Sequence, residues 1–193
     1  MKTIALKGDS RESVGTKSAK MLRTNGQVPC VLYGHEQIVH FAVYEADFKN
    51  LVYTPNTYTV QLDINGNIHR AILQDIQFHP VSDAIIHADF LVITDDKPIT
   101  IDIPVKITGN SPGVREGGKL VVKMKKMRVK GLLKDLPDFI EANIDTLEKG
   151  KSIRVADIQV PGIELLNAKN NAIVSVVQTR ASMEMEKAAG GKK

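Results

Sequence analysis

The chain has no tryptophan and only five phenylalanines and four tyrosines in 193 residues. That scarcity argues against broad aromatic platforms of the kind that stack single-stranded bases. A single cysteine, Cys30, excludes an intrachain disulfide. It lies in the apolar run Pro29 to Tyr33, which reads as the place of a buried structural thiol rather than a nucleophile. No apolar run approaches the length of a membrane span, and Met1 to Gly8 lacks the uninterrupted apolar core of a signal peptide, so the cytoplasm is the expected compartment. The glycine-rich stretch from Gly109 to Gly118 resembles a phosphate-gripping loop only superficially, because no strand, GxxxxGK[ST] and helix follow one another there.

What is present describes an ordinary folded chain, 42% hydrophobic and 25% charged, long enough to bury a core in one domain or two. The net charge of +4 is modest and unevenly spread. Residues 1–34 carry six Lys or Arg against two acids, residues 35–94 two against seven, and residues 95–193 eighteen against thirteen. The first ninety-four residues are thus slightly acidic, and any nucleic-acid site among them must be a local basic patch.

The organising stretch is QDIQFHPVSDAIIHADF, Gln74 to Phe90. It reads as two strands parted at His79-Pro80, since proline donates no ladder hydrogen bond. In the second strand Ile86, Ala88 and Phe90 are expected on one face, with His87 and Asp89 on the other. That polar pair suits a binding surface, and equally a merely solvated one.

Lys2 to Lys7 alternates as a short strand. A helix of about two turns follows Gly15, with Thr16 as N-cap and Asn25-Gly26 as its stop. Ala19 and Leu22 are expected to face the core, while Lys17, Lys20 and Arg23 share an exposed side with Arg11 just before them. This patch is either a solvated helix face or a basic surface for the shallow minor groove of double-helical RNA. Strands are expected at Val28–Tyr33, Val39–Tyr44, Thr57–Ile64 and Asn67–Leu73, the last two joined through Asn65-Gly66, with a short helix over Glu45–Val52. Asp95 to Pro98 marks a domain junction. Beyond it, strands are expected from Ile99, over Phe139–Ile144, Val155–Gly162 and Ala172–Val177. The basic run Lys119 to Lys134 is expected to bulge near Lys125-Lys126, either as a lysine-guarded sheet edge or as an RNA-contacting strand. Arg180–Lys193 reads as a disordered tail.

The segments QDIQFHPV and HADF, with Arg11, the Gly15 helix and VPCVLYG before them, resemble the bacterial large-subunit ribosomal protein L25 family. The sequence after residue 95, with GNSPGVREGGKL, is similar to the second domain of its long form, the general stress protein CTC type. The resemblance implies a mainly β fold of α+β type. Residues 1–94 would form a six-stranded barrel-like domain with short helices, and residues 95–179 a second β-rich domain. It implies a structural protein of the large ribosomal subunit, not an enzyme, with no cofactor and no metal, whose first domain binds the loop E region of 5S ribosomal RNA. Its second domain would be free to meet neighbouring ribosomal proteins. Carried over by position, the RNA-contacting set is Arg11, Lys17, Lys20, Arg23, Tyr33, Gln74, Gln77, His87 and Asp89. Lys20 stands where the family usually has arginine, and loses the planar fork that binds phosphate in two places. Thr16 stands where lysine is common, so that phosphate contact is either absent or supplied by Lys17.

Two other readings compete. His79, His87 and Asp89 could form a two-histidine, one-carboxylate metal site of an enzyme, although no general base accompanies them. Alternatively the sheet could bind a protein partner through an exposed edge.

Overall fold

The computed structural model describes residues 1–34 and 38–179. The tail expected at 180–193 lies outside the described residues. The chain divides into two compact units, Met1–Ile99 with Leu132–Lys134, and Thr100–Gly131 with the residues from Asp135 on.

In the first unit six strands close a barrel: β1 (Lys2–Ser10), β2 (Gln27–Tyr33), β3 (Val39–Tyr44), β4 (Tyr58–Ile64), β5 (Asn67–Phe78) and β6 (Ile85–Val92). Their order around it is β1-β3-β2-β6-β5-β4, and the parallel pairing of β1 with β4 completes the circle. Closure leaves no free sheet edge, so strand addition by a partner has nowhere to start on this unit. Between β4 and β5, Asn65 and Gly66 both take positive φ (50° and 88°), the paired left-handed geometry that a two-residue hairpin turn demands.

Inward residues follow the two-residue period: Leu6 on β1, Val28, Cys30 and Leu32 on β2, Phe41 and Val43 on β3, Val60, Leu62 and Ile64 on β4. Phe48 and Leu51, from a 3-10 turn (Glu45–Phe48) and a single helical turn (Lys49–Val52), are buried in the same core. The rings of Phe41 and Phe48 lie 5.7 and 6.3 Å from that of Phe90. Gly8 is buried because Phe41 needs the room: a Cβ there would stand 2.7 Å from the ring.

Helix α1 (Thr16–Thr24) links β1 to β2. Its N-cap is Gly15, with φ 145°, and no side chain caps it, so Thr16 is the first helical residue rather than the cap expected. Asn25 closes the helix as expected. Ala19 and Leu22 are half-buried, and Lys17, Lys20 and Arg23 are exposed.

The second unit holds two sheets. One has four strands in the order β10-β7-β9-β12: β7 (Ile99–Thr108), β9 (Lys126–Gly131), β10 (Ile140–Asn143) and β12 (Ile163–Leu165). The other has three, β11-β13-β8: β8 (Lys119–Val122), β11 (Ser152–Arg154) and β13 (Ala172–Val177). Three expectations are corrected here. The basic run is not one bulged strand: the chain leaves β8 in one sheet and enters β9 in the other. β9 lies between β7 and β12, so its cations do not guard an edge, whereas β8, with Lys119, is an edge strand of its sheet. Val155–Gly162 is not a strand, because Val155–Asp157 coils into a 3-10 turn with the Asp157 carboxylate accepting from Arg154 N at 2.8 Å.

The glycine-rich loop contains a single helical turn, Pro112–Arg115, and is locked shut. A Cβ on Gly113 would meet Lys149 N at 2.5 Å, Gly113 N donates to Leu147 O at 3.2 Å, and the Ser111 hydroxyl donates to the same carbonyl. A phosphate would find those backbone donors already used.

Candidate nucleic-acid interface

The outer face of β5, β6 and β2 is shaped by two bulges. On β5, Leu73 pairs with Phe90 and Asp75 with Asp89, which leaves Gln74 without an opposite number. A strand without a bulge would turn Leu73 and Ile76 to opposite faces, since they are an odd number apart. The extra residue lets both pack against the barrel core while Gln74, Asp75 and Gln77 are all exposed. On β6, Gln77 pairs with His87 and Phe78 with Ile85, so Ile86 is the residue passed over. This corrects the face expected for it: Ile85, 4% exposed, is the inward residue, together with Ala88 and Phe90, whereas Ile86 is only half-buried.

The freed backbone of Ile86 has a use. Its carbonyl accepts Arg23 Nε at 3.0 Å, which holds the last turn of α1 against β6, one residue from His87. The guanidinium therefore spends one donor inside the fold and keeps its terminal nitrogens outside. Arg11 is placed differently. Its backbone N donates to His40 O at 2.9 Å and its Nη2 to Ser13 O at 3.3 Å, a carbonyl that also accepts the Ser18 hydroxyl at 3.0 Å. The Nε of Arg11 is buried without a hydrogen-bond partner among the described residues.

Registration draws these residues into a row. His40 faces Val31 on β2, Val31 faces Asp89 on β6, and Asp89 faces Asp75 on β5, with Arg11 continuing the row beyond His40. Neighbouring strands lie about 4.8 Å apart, so the row from Arg11 to Asp75 runs on the order of 20 Å around the barrel. His87 and Gln77 face each other one step along. His87 Nδ1 lies 2.7 Å from Asp89 Oδ1, so the Nδ1 proton is donated to the carboxylate and Nε2 is left to face outward. Tyr33, half-buried on β2, has its phenol held above the ordinary value, first by partial burial and then by the carboxylates of Asp89 and Asp75.

Tyr33, Gln74, Gln77, His87 and Asp89 therefore share one outer face, and Arg23 is bonded to its margin. Lys20 and Lys17 stand about one and two turns back along α1. Asp75 and His40 belong to the same face and were missed from sequence. The signal for Asp75 was the QDIQ spacing itself, hidden because its outward direction depends on the bulge at Gln74. Two carboxylates directly opposite one another cost roughly 0.2–1 kcal/mol even in solvent. Such a face repels phosphate and favours donors, such as guanine amines or 2′-hydroxyls.

The profile of the Ribosomal L25p family matches residues 6–90. That of the ribosomal protein TL5 C-terminal domain matches residues 98–180. The chain belongs to the ribosomal L25p family. Large ribosomal subunit protein bL25 of Azobacteroides pseudotrichonymphae is 45% identical over 94% of this chain and 97% of its own length. The bL25 protein of Bacteroides fragilis is 44% identical over 98% of this chain and all of its own, and that of Porphyromonas gingivalis 42% over 94% and 96%. Membership of the L25p family sets the metal-enzyme reading aside. His79 is committed elsewhere in any case, its Nδ1 accepting from Ser82 N at 3.2 Å to close the β5–β6 loop. Among the described residues no helix is long and apolar enough to cross a membrane.

Proposed function

We propose that residues 1–94 bind 5S ribosomal RNA at its loop E region. The coarser statement needs no proposal: the chain is a structural, non-enzymatic ribosomal protein of the large subunit, at work on the ribosome in the cytoplasm. The observation that carries the finer reading is the gathering of Tyr33, Gln74, Gln77, His87 and Asp89 on one barrel face with the cations of α1 fastened beside it through Arg23 and Ile86. The second unit, from Thr100 on, is left for contacts with other components of the subunit.

The chemistry divides the labour. Arg11, Lys17, Lys20 and the outer nitrogens of Arg23 meet phosphates, which sets affinity and its salt dependence. Asp89 accepts from a base-edge donor, the guanine amine being the one a minor groove offers, and His87 orients it. Tyr33 lies within electrostatic reach of the same carboxylates and contributes discrimination. Binding of the full chain to a loop E hairpin and to a scrambled hairpin, each at two salt concentrations, tests this. Wild type is expected to prefer loop E and to weaken steeply with salt. Asp89→Asn should lose about 1–3 kcal/mol on loop E alone, whereas Lys20→Ala should weaken both hairpins alike and flatten the salt slope by about one. Equal binding of the two hairpins by wild type would remove loop E as the target.

A further inference from the structure

In the second unit the stretch from Gly117 to Gly131 contains six Lys or Arg and no acid. The fold neutralises part of it from neighbouring strands. Arg128 Nε holds Asp102 Oδ1 at 3.0 Å, and Lys130 stands opposite Glu164 in register. Nearby, Lys106 stands opposite Glu141 with its ammonium 4.8 Å from the centroid of the Phe139 ring, and Lys149 reaches Glu116 at 3.4 Å. Lys119, Lys123, Lys125 and Lys126 have no such neighbour. All four are exposed, and among the described residues none has a side-chain hydrogen bond or ion pair.

Three of the four sit where the chain passes from β8 to β9, and there the backbone is tied on both sides. Lys123 N and Met124 N both donate to Ile173 O, at 2.9 and 3.1 Å, and Lys125 O accepts from Val105 N at 2.9 Å. Met124 is half-buried between two exposed lysines. The segment is therefore already ordered, and a ligand gripping it need not supply the ordering free energy that a loose loop would demand.

We propose that Lys123, Lys125 and Lys126, with Lys119, form a second RNA contact that grips phosphate backbone and does not read sequence. Ammonium groups are point charges without a fork, and no Asn, Gln, Asp or Glu stands in this stretch to address a base edge. Lys123 to Lys126 spans less than the roughly 10 Å that three residues of fully extended chain would reach, because the chain bends at Lys125, so its ammonium groups are gathered on neighbouring phosphates. Lysine is depleted from protein–protein interfaces, which makes an acidic protein the weaker fit. The proposal rests on the reading that the first unit anchors the chain to ribosomal RNA, because the second contact is reached once the first has formed.

The test uses the full chain with Lys123→Gln, Lys125→Gln and Lys126→Gln combined. Its binding is measured against wild type on the loop E hairpin and on large subunits stripped of this protein, across a salt series. Hairpin binding should be unchanged. Subunit binding should fall about tenfold or more, with a log–log salt slope shallower by about two to three. Equal slopes on subunits overturn the proposal. Failure of wild type to prefer the hairpin overturns the loop E reading instead, and the subunit measurement still stands. A second arm places a photocrosslinker through Lys125→Cys, which is selective because Cys30 is buried. Nuclease-sensitive adducts support the RNA contact, and a nuclease-resistant protein adduct or no adduct overturns it.

Discussion

Cys30 shows how little of a reactive residue's chemistry survives burial. Its side chain is wholly enclosed and its Sγ donates to Val28 O at 3.3 Å. Burial pushes the thiol far above its ordinary value of 9.0, with Asp89 adding to the rise. The folded protein thus keeps the proton where the unfolded chain would lose it. Stability from this group is complete below pH 9 and falls as pH rises past the unfolded value, by about 1.4 kcal/mol per pH unit at most. Urea unfolding at pH 8, 9 and 10 should show that slope in wild type, and Cys30→Ala should flatten it while costing some stability at every pH. A slope unchanged by the substitution would mean that other groups carry it. The sequence did make this thiol legible, since an apolar run with one small polarisable residue inside it has few other readings. It could not reveal that Asp89, fifty-nine positions away, lies close enough to act on it.

Elements were legible in the first unit wherever period and punctuation agreed. The hairpin at Asn65-Gly66, the strand over Val28–Tyr33 and the stop at Asn25-Gly26 all follow from local rules. The bulges did not show, because a bulge is a decision made by two strands together, and neither Gln74 nor Ile86 is an unusual residue in isolation. Their importance can be measured. Deleting Gln74 forces either Leu73 or Ile76 out of the barrel core, or slides β5 against β6, and exposing one such side chain costs about 2–3 kcal/mol before any lost pairing. Gln74→Ala keeps the register and should stay within about 0.5 kcal/mol of wild type. Urea midpoints for the two variants should therefore diverge widely. Similar midpoints would mean that the bulge does not hold the register. In the second unit the same local rules failed at Val155–Gly162 and at Lys125-Lys126. At the first, the partners of the short strands β11 and β12 are set by tertiary pairing, which a run of three residues cannot announce. At the second, the passage of the chain from one sheet to the other is likewise a tertiary choice.

At the scale of the whole molecule, the two units are stabilised by different means, and this predicts how the chain comes apart. The first is a closed barrel with a single aromatic-centred core, Phe41, Phe48 and Phe90 among its fully buried side chains. Every inner strand residue is supplied from within residues 1–99, and so is every residue of the face proposed to meet RNA. The second divides its strands between a four-stranded and a three-stranded sheet, each with free edges, and draws its binding segment from the crossing between them. Residues 1–99 expressed alone should then unfold in one cooperative step and bind the loop E hairpin with the selectivity of the full chain. They should also lose most of the extra affinity for whole subunits that the Lys123 to Lys126 segment is proposed to add. A folded fragment that bound loop E no better than a scrambled hairpin would mean that discrimination needs residues beyond the barrel. Far-ultraviolet circular dichroism beside the binding titration distinguishes that outcome from simple failure to fold, because a barrel of six strands that has closed leaves a strand signal an unfolded chain cannot give.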